Sequence, residues 1–590
     1  MPPSNPYRRG LTKLWKPRAP LTVASDRPLL ERILACRGLT DPAAIRAFVE
    51  PSLLHLHDPS LIPDLDRAAE RLLNALRARE PIVIYGDYDV DGVTATTILF
   101  HTFRLIAPDA PVRTYVPHRL DEGYGLNTAA IGQLAADGAR VIISVDCGIT
   151  AVEPAAVARK TGVDLIITDH HNPPRSDTDL PDAFAIVHPR RPGSAYPFGD
   201  LSGAGVAYKL AWRLATLHCG GQKVSPEFRT LLVELLAFAA LGAIADIVPL
   251  TGENRVLTRH GLSRIKHSSN PGLRALVEAS GLAGDDIDSD HVGFALGPRL
   301  NACGRMGHAR EAVELFTTAT PVQSALIAAN LCTLNDQRRS TERRIAEHAA
   351  QLAESAGMTG PGRRAIVLAH PDWHAGVIGI VCSRLVDLFH RPTILMQLKD
   401  GQAHGSGRSI DGFSLHAALE ACSCYLLSYG GHDMAAGLKL DAANLEAFTQ
   451  AFTARANEAL SPEELVGSVS FDCEARLSEL TTDTVAKLEM LSPFGMGNPR
   501  PRLCLSRVRI DRPPHPLGNG GKHLALMVRQ DDRWMRLVAW NWGERREALA
   551  VGSEIDAVVS PKISTYNRAV EPVLEDVRIL TPNSPAAAAS

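Results

Sequence analysis

The sequence predicts a modular α/β protein: a mostly parallel-sheet domain, a long connecting helix, a second α/β domain and a C-terminal β-barrel. Three observations carry that prediction. A chain of 590 residues is too long for one hydrophobic core, so several domains are expected. Between about residues 81 and 189 short apolar runs alternate with helical patterns, as β-α-β units require. From Val466 to Leu580 the pattern changes to short strands of alternating polarity, which suits a small Greek-key barrel.

In chain order, residues 1–60 form an N-terminal segment. Its start, "MPPSNPYRRGLTKLWKPRAP", is basic and proline-rich but has no apolar core, so it is not read as a secretory signal. The first domain, 61–320, contains "PIVIYG", "VRTYVP", "RVIISVD", "DLIITD" and "AFAIVHP" as strands, with helical patterns between them. Its most apolar run, "LLAFAALGAIA", is too short to cross a bilayer, and no membrane association is expected. Residues 321–356 keep helical periodicity without Gly or Pro after Pro321, which predicts one connecting helix. Its "QRRSTERR" stretch offers arginines that could meet phosphates, but a helix this polar is more often a solvated face, and no function is rested on it. A second α/β domain spans 357–462 with glycine-rich "AHGSGRSIDGFSL" and "SYGGHDMAAGLKL". The barrel, most simply an OB-fold, spans 463–582, and the alanine-rich tail 583–590 is expected to be disordered.

With 62 basic and 65 acidic residues the net charge is −3, so a nucleic-acid surface would have to be a local patch. The ten cysteines have no CxxC pairing, which points to a reduced compartment and away from a disulfide framework or zinc knuckle. A cytoplasmic location is expected.

Parallel sheets gather ligands where the carboxyl ends of their strands open into loops. There "VIYG" is followed by Asp87, Asp89 and Asp91, "VIISV" by Asp146, and "LIIT" by Asp169, His170 and His171; the run ending "GAIA" is followed by Asp246. The first three carboxylates and Gly92 fit the opening of an EF-hand loop. Position 12, however, is Ile98 where a bidentate Glu is needed, and the preceding run is a strand instead of a helix. Alone, DxDxDG is as often a solvated turn. Four or five carboxylates sharing a partly dehydrated crevice need cations to neutralise them. Carboxylates with an imidazole suit Mn²⁺, with Mg²⁺ also possible, better than zinc, and the donor count suits two ions. Two such ions serve an in-line phosphoryl displacement, so the crevice reads as a phosphoesterase site.

The motifs "DYDVDG", "VDCG", "TDHH" and "AIADIVPL", in this order, resemble motifs I to IV of the DHH phosphoesterase superfamily. "PHRLDEGYGLN", "LSGAGVAYKL", "GPRLNACGRM", "HAGVIGIVCSRL", "GSGRS", "GGHDMAAG" and "SPFGMGNPRP" extend the likeness from about residue 25 to 580. With them the chain is similar to the RecJ family of single-strand-specific 5′→3′ DNA exonucleases. That resemblance implies a DHH domain, a DHHA1 domain and an OB-fold. It implies that Asp87 and Asp89 hold one Mn²⁺ or Mg²⁺ and Asp91 the other, with Asp87 either a ligand or an acid behind the ligands. Asp146 would bridge the ions, and His170 and Asp246 would complete the second site. His171 would lie beside the scissile phosphate, and Asp169 would orient His170 by hydrogen bonding.

Arg119, Arg299 and the Ser406/Arg408 pair are the implied phosphate contacts. Gly405 and Gly407 would let backbone N–H groups approach an anion, and Arg408 would grip a terminal 5′ phosphate. His432 reads equally as a strand contact or a packed turn histidine, and Arg305 as a substrate contact or an ion-pair residue. In the barrel, Lys522, Arg536, Lys562 and Arg568 accompany Trp534, Trp540, Trp542 and Tyr566, some of them core. The expected substrate is single-stranded DNA with a 5′ phosphate, cut by a monomer to mononucleotides in recombination and repair. By the same resemblance a single-strand-binding protein and a RecQ-type helicase are partners. The alternatives are a DHH/DHHA1 phosphodiesterase of short oligonucleotides or dinucleotides, and a catalytically silent replication scaffold. The first would lack the connector and barrel, and the second would have lost metal ligands.

Overall fold

The computed structural model of the protein describes residues 8–19, 26–118, 122–123, 125–221, 223–564 and 567–581; Arg119 and Tyr566 lie outside the described residues. The chain divides into two compact units. One comprises Glu50–Ser340 and Pro493–Pro499, the other Met1–Val49, Thr341–Ser492 and Arg500–Ser590.

The first unit is built on a five-stranded parallel sheet of β1 (Ile82–Gly86), β2 (Val112–Tyr115), β3 (Val141–Val145), β4 (Asp164–Thr168) and β5 (Ala185–Val187). The spatial order is β2-β1-β3-β4-β5, so β1, β3 and β4 sit inside the sheet. β1 and β3 are buried along their whole length, which explains why they read as unbroken apolar runs instead of alternating ones. Three helices complete the core: α1 (Val90–Ile106), α2 (Gly203–His218) and α3 (Pro226–Ala245). Of the four buried threonines of α1, Thr94, Thr97 and Thr102 donate their hydroxyls to the carbonyls of Val90, Val93 and Ile98 at 2.8 Å. Their polar atoms are therefore satisfied without leaving the helix.

α3 corrects the reading of the apolar run. It has 20 residues and is long and apolar enough to cross a membrane, yet 61% of its most apolar window is buried, as in the central helix of a packed domain. Asp246 is thus the C-cap of a helix and does not follow a strand. Beside this core, Lys209 and Glu253 form a fully buried ion pair. Lys209 Nζ also donates to His57 O at 2.7 Å, and Glu253 accepts from His57 N at 2.8 Å and from the Tyr196 hydroxyl. The unit continues through α4 (Gly297–Met306) into α5 (Pro321–Ser355), an uninterrupted helix of 35 residues, about 52 Å at 1.5 Å per residue.

The second unit holds a mixed sheet of β6 (Ile366–His370), β7 (Thr393–Lys399), β8 (Gln402–Arg408), β9 (Ser428–Gly431) and β10 (Ala435–Asp441), in the order β9-β10-β8-β7-β6. Here Gly405 to Arg408 of "GSGRS" lie in a strand, not at an open anion-facing backbone. β8 pairs antiparallel with β7 on one side and β10 on the other, so the backbone of Gly405 and Gly407 belongs to the sheet ladder. The glycines answer a packing need: a Cβ on Gly405 would lie 2.6 Å from Met396 Cγ, and one on Gly407 2.7 Å from Leu415 Cδ2.

The barrel strands are β11 (Leu503–Ile510), β12 (His523–Gln530), β13 (Arg533–Ala539), β14 (Glu554–Ser560) and β15 (Val573–Thr581). They run β11-β14-β15-β13-β12, and pairing of β11 with β12 closes the ring, the five-stranded arrangement of an OB-fold. Trp542 is buried at 6% exposure, whereas Trp534 and Trp540 are each 53% exposed. The N-terminal segment is tied to this unit. Leu14–Pro17 pairs in parallel with Ser468–Phe471, and buried Trp15 donates its indole N–H to Asp576 Oδ2 at 2.8 Å.

Candidate metal centre

The first motif forms at the turn from β1 into α1. Asp87 directly follows β1, and Asp89 is the N-cap of α1, its Oδ1 accepting from Asp91 N at 2.9 Å and Gly92 N at 3.1 Å. Gly92 lies inside the helix, and a Cβ there would come within 2.6 Å of Asp87 O and 2.7 Å of Asp87 Cβ. It is a close-approach glycine, not the tight-turn glycine of a calcium loop. Asp91 is buried and gripped by the start of α2: Gly203 N donates to Oδ2 at 2.5 Å and Ala204 N to Oδ1 at 2.9 Å. A carboxylate at a helix N-terminus gains both from free N–H groups and from the helix dipole.

Asp146 leaves β3 with φ +63°, a left-handed conformation costly for a residue with a Cβ, and its N–H donates to Thr168 O at 3.0 Å. Asp169 follows β4 and has a different partner from the one expected. Its Oδ1 accepts from His171 Nδ1 at 2.8 Å and from the backbone N–H groups of His170 and His171, and its Oδ2 accepts from Ile149 N at 2.9 Å. Asp169 therefore orients the ring of His171, not that of His170. The adjacent carbonyls are held from β5 onward: Arg190 donates to His170 O at 2.6 Å, and His188 Nε2 lies 2.7 Å from His171 O.

These segments converge. His170 Nε2 is 3.1 Å from Asp146 Oδ1, 3.4 Å from Asp246 Oδ2 and 3.8 Å from Asp91 Oδ2. Among the described residues three donor sets each fall within 4.8 Å: Asp87, Asp89 and Asp146; Asp91, His170 and Asp246; and Asp146, His170 and His171. Asp146 belongs to two of these sets, the first with Asp87 and Asp89 and the last with His170 and His171, and His170 links it to the remaining one. Its Oδ1 and His170 Nε2 are buried and make no hydrogen bond to a described residue, although they face each other. Buried polar atoms left so are exceptional, and a cation between them would satisfy both. The donors are carboxylate oxygens with imidazole and no thiolate, a set that fits Mn²⁺ or Mg²⁺.

Charge sorts the two histidines. Burial, with the mutual repulsion of Asp91, Asp89 and Asp246, pushes the Asp146 carboxyl well above its usual range, and burial also raises Asp91 and Asp246. Burial, reinforced by the neighbouring His171, depresses His170 to about 3, so its imidazole is neutral and able to bind metal. Burial alone would lower His171 as well, but its hydrogen bond and ion pair with Asp169 raise it to about 9. The two adjacent rings thus differ in charge: one a neutral donor atom for metal, the other an imidazolium.

Three glycines keep this centre tight. A Cβ on Gly203 would lie 2.6 Å from Asp146 Oδ1, and one on Gly242 2.2 Å from Asp91 Oδ1, in addition to the Gly92 contact. Sequence reasoning missed the roles of Gly203, Ala204, Gly242, His188 and Arg190; "LSGAG", a serine cap before two glycines, was the available signal.

Of the residues expected to hold phosphate, Arg299 lies on α4 in the unit of the metal centre, with Nη1 donating to Ala295 O at 2.8 Å and Nε to Cys332 Sγ at 3.2 Å. Ser406, Arg408 and His432 lie in the other unit. Ser406 and Arg408 are two apart on β8 and share one face, with Arg408 Nη1 3.4 Å from Ser406 Oγ and 2.8 Å from Gly407 O. His432 is exposed in the β9–β10 hairpin, its N–H donating to Ala435 O at 2.8 Å.

A parallel sheet with an Asp-rich motif I, an Asp-His-His motif and a carboxylate–imidazole centre, followed by a glycine-rich α/β domain and an OB barrel, defines a divalent-metal protein of the DHH type. Family models agree: the DHH family N-terminal domain matches residues 81–240, the DHHA1 domain 362–458 and the RecJ OB domain 471–575. The single-stranded-DNA-specific exonuclease RecJ of Bacillus subtilis is 37% identical over 549 residues, covering 93% of this chain and 67% of that protein. The Dickeya dadantii RecJ is 37% identical over 529 residues, covering 87% of this chain and 89% of that protein. The crystal structure of Thermus thermophilus RecJ in complex with Mn²⁺ superposes with a TM-score of 0.77 at 30% identity, covering 97% of this chain and 80% of that one. The chain belongs to the RecJ family.

Proposed function

We propose that the protein is a two-metal exonuclease that hydrolyses single-stranded DNA from a 5′ end to 5′-mononucleotides. The observation that carries the reading is the complete set of converging donors, Asp87, Asp89, Asp91, Asp146, His170 and Asp246, on a chain 37% identical to single-stranded-DNA-specific exonucleases. When bound there, Mn²⁺ or Mg²⁺ supplies a Lewis acid that activates water and neutralises the entering and leaving oxygens of phosphoryl transfer.

The chain's residues do the rest. Asp87 and Asp89 would hold one cation and Asp91, His170 and Asp246 the other, with Asp146, which shares donor sets with Asp87, Asp89 and His170, available to both. The α2 amides fix Asp91, and a ligand that cannot rotate keeps its donor atom in place. His171, charged and aimed by Asp169, stabilises the negative charge that develops on the scissile phosphate. Ser406 and Arg408 take the 5′ phosphate, and Arg119 and Arg299 take diester phosphates, so the strand is held in register while bases go unread. The exposed rings of Trp534 and Trp540 offer stacking platforms for following bases, which makes the barrel indifferent to sequence but selective for unpaired strands. A helicase and a single-strand-binding protein would supply that substrate in recombination and repair.

The test is one digestion series with Mn²⁺: long 5′-phosphorylated single strands, duplexes, dinucleotides and pyrophosphate, each with wild type and Asp146→Ala. Wild type should release mononucleotides from single strands alone, and Asp146→Ala should release none. Consumption of dinucleotides with survival of long strands would refute the exonuclease reading. Equal behaviour of the two proteins on every substrate would refute the metal centre.

A further inference from the structure

Beside the metal ligands the first unit brings two histidines together that the mechanism above leaves unused. His118 follows β2 by three residues and His308 follows α4 by two; both are half-buried, with ring centroids 5.3 Å apart and planes tilted by 46°. Their position follows from the sheet. Tyr115 of β2 pairs with Tyr85 of β1, so the chain leading to His118 leaves the sheet beside the segment that carries Asp87. From the other side α4 leans on that segment, because a Cβ on Gly304 would lie 3.0 Å from Tyr88 O. The pair therefore flanks the loop that holds the first metal ligands.

Both histidines are braced. His118 N donates to Glu122 Oε1 at 2.7 Å, and Glu122 Oε2 accepts from the Tyr115 hydroxyl at 2.5 Å. His308 Nδ1 accepts from Arg310 N at 3.0 Å, which places the single proton of its neutral ring on Nε2. Burial and the neighbouring His118 hold His308 below the usual histidine range, Glu122 and Glu311 pull it upward and Arg310 downward, and the ring stays neutral. Two imidazoles with a carboxylate nearby suggest a third cation, but the Glu122 oxygens already accept two hydrogen bonds. Among the described residues this trio also forms no converging donor set. What the pair presents is a hydrogen-bond donor, next to a centre whose substrate is a polyanion.

We propose that His308, set by its pairing with His118, donates its Nε2 proton to a non-bridging oxygen of a substrate phosphodiester close to the one being cut. The inference rests on the exonuclease reading and deepens it by adding a backbone contact on the side of motif I. One bond from a neutral ring to a phosphate anion holds a single linkage, so its loss weakens that register and no other.

The experiment measures binding without turnover. In an Asp146→Asn background, fluorescence anisotropy reads the affinity for 5′-phosphorylated single strands carrying one uncharged methylphosphonate at the first, second or third linkage. His308→Phe, which keeps the ring and removes the donor, should weaken binding to the unmodified strand about tenfold, the scale of one hydrogen bond to a charged group. At one linkage the methylphosphonate should cost His308→Phe nothing further; His308→Gln, which retains an N–H donor, should recover most of the loss. Wild-type affinity in His308→Phe, or a loss that multiplies with the methylphosphonate at every linkage, overturns the proposal. His118→Phe must show the same linkage dependence if the pairing sets the donor, and an unchanged profile there removes His118 from it. The two readings fail separately: a protein with Asp146 intact that leaves single strands uncut refutes the exonuclease, whereas normal cutting with unaltered His308→Phe binding refutes only this contact.

Discussion

Gly203→Ala is the smallest change that should separate folding from metal binding. The added methyl would sit 2.6 Å from Asp146 Oδ1 and within 2.7 Å of Asp146 Cγ, against an ordinary contact of 3.4 Å or more, so about 0.8 Å must be recovered. Backbone on the α2 side cannot yield freely, because Gly203 N and Ala204 N are the donors that hold Asp91. The carboxylate of Asp146 has to move instead. Metal–ligand distances tolerate only about ±0.2 Å, so a shift several times larger should weaken Mn²⁺ binding at least tenfold. The cost in stability should be modest, about 1–3 kcal/mol, as for other overpacked sites. Gly205→Ala is the control: two residues on, the atoms nearest its Cβ would be Leu201 side-chain atoms at 3.3 and 3.5 Å and the Ser202 hydroxyl at 3.6 Å. Titration calorimetry with Mn²⁺ and thermal melting with and without the ion measure both quantities. If Gly203→Ala binds Mn²⁺ as wild type does, or if Gly205→Ala loses as much, the account of the centre as sterically set by its glycines is wrong.

Two other outcomes follow from the same structure. Lys209→Met leaves Glu253 buried with its charge uncompensated, and chemical denaturation should show a loss of about 3–5 kcal/mol, of which a second change, Glu253→Gln, restores a part; a double variant less stable than the single one would contradict this. Arg408→Ala should lower activity on 5′-phosphorylated strands about tenfold more than on 5′-hydroxyl strands, because a doubly charged terminal phosphate is what a guanidinium beside a serine holds best; equal losses in initial rate would assign Arg408 to general backbone binding.

The carboxylates of the centre were legible because a parallel sheet exposes whatever follows each strand's carboxyl end, and "VIYG", "VIISV" and "LIIT" are plainly strands that both faces of a sheet must bury. Asp246 was found for an incomplete reason: an apolar run without polar periodicity looks alike in a buried strand and a buried helix, and the structure makes it a helix of 20 residues. The expectation for Asp169 failed on a finer scale. Either neighbouring imidazole could have taken its carboxylate, and the choice depends on side-chain torsions that no spacing reveals. Glycines misled twice in the same direction. In "GSGRS" they suggested backbone N–H groups open to an anion and in "DVDG" a turn, yet Gly405, Gly407 and Gly92 sit in a strand and a helix where a neighbouring side chain or backbone fills the space of the missing Cβ. Glycine has two physical uses, freedom of φ and absence of a side chain, and local sequence reports only that one of them is needed. At this centre it is the second. The ligands are not gathered by a flexible loop but packed to contact by Gly92, Gly203 and Gly242, which is why a methyl group should disturb metal binding before it disturbs the fold.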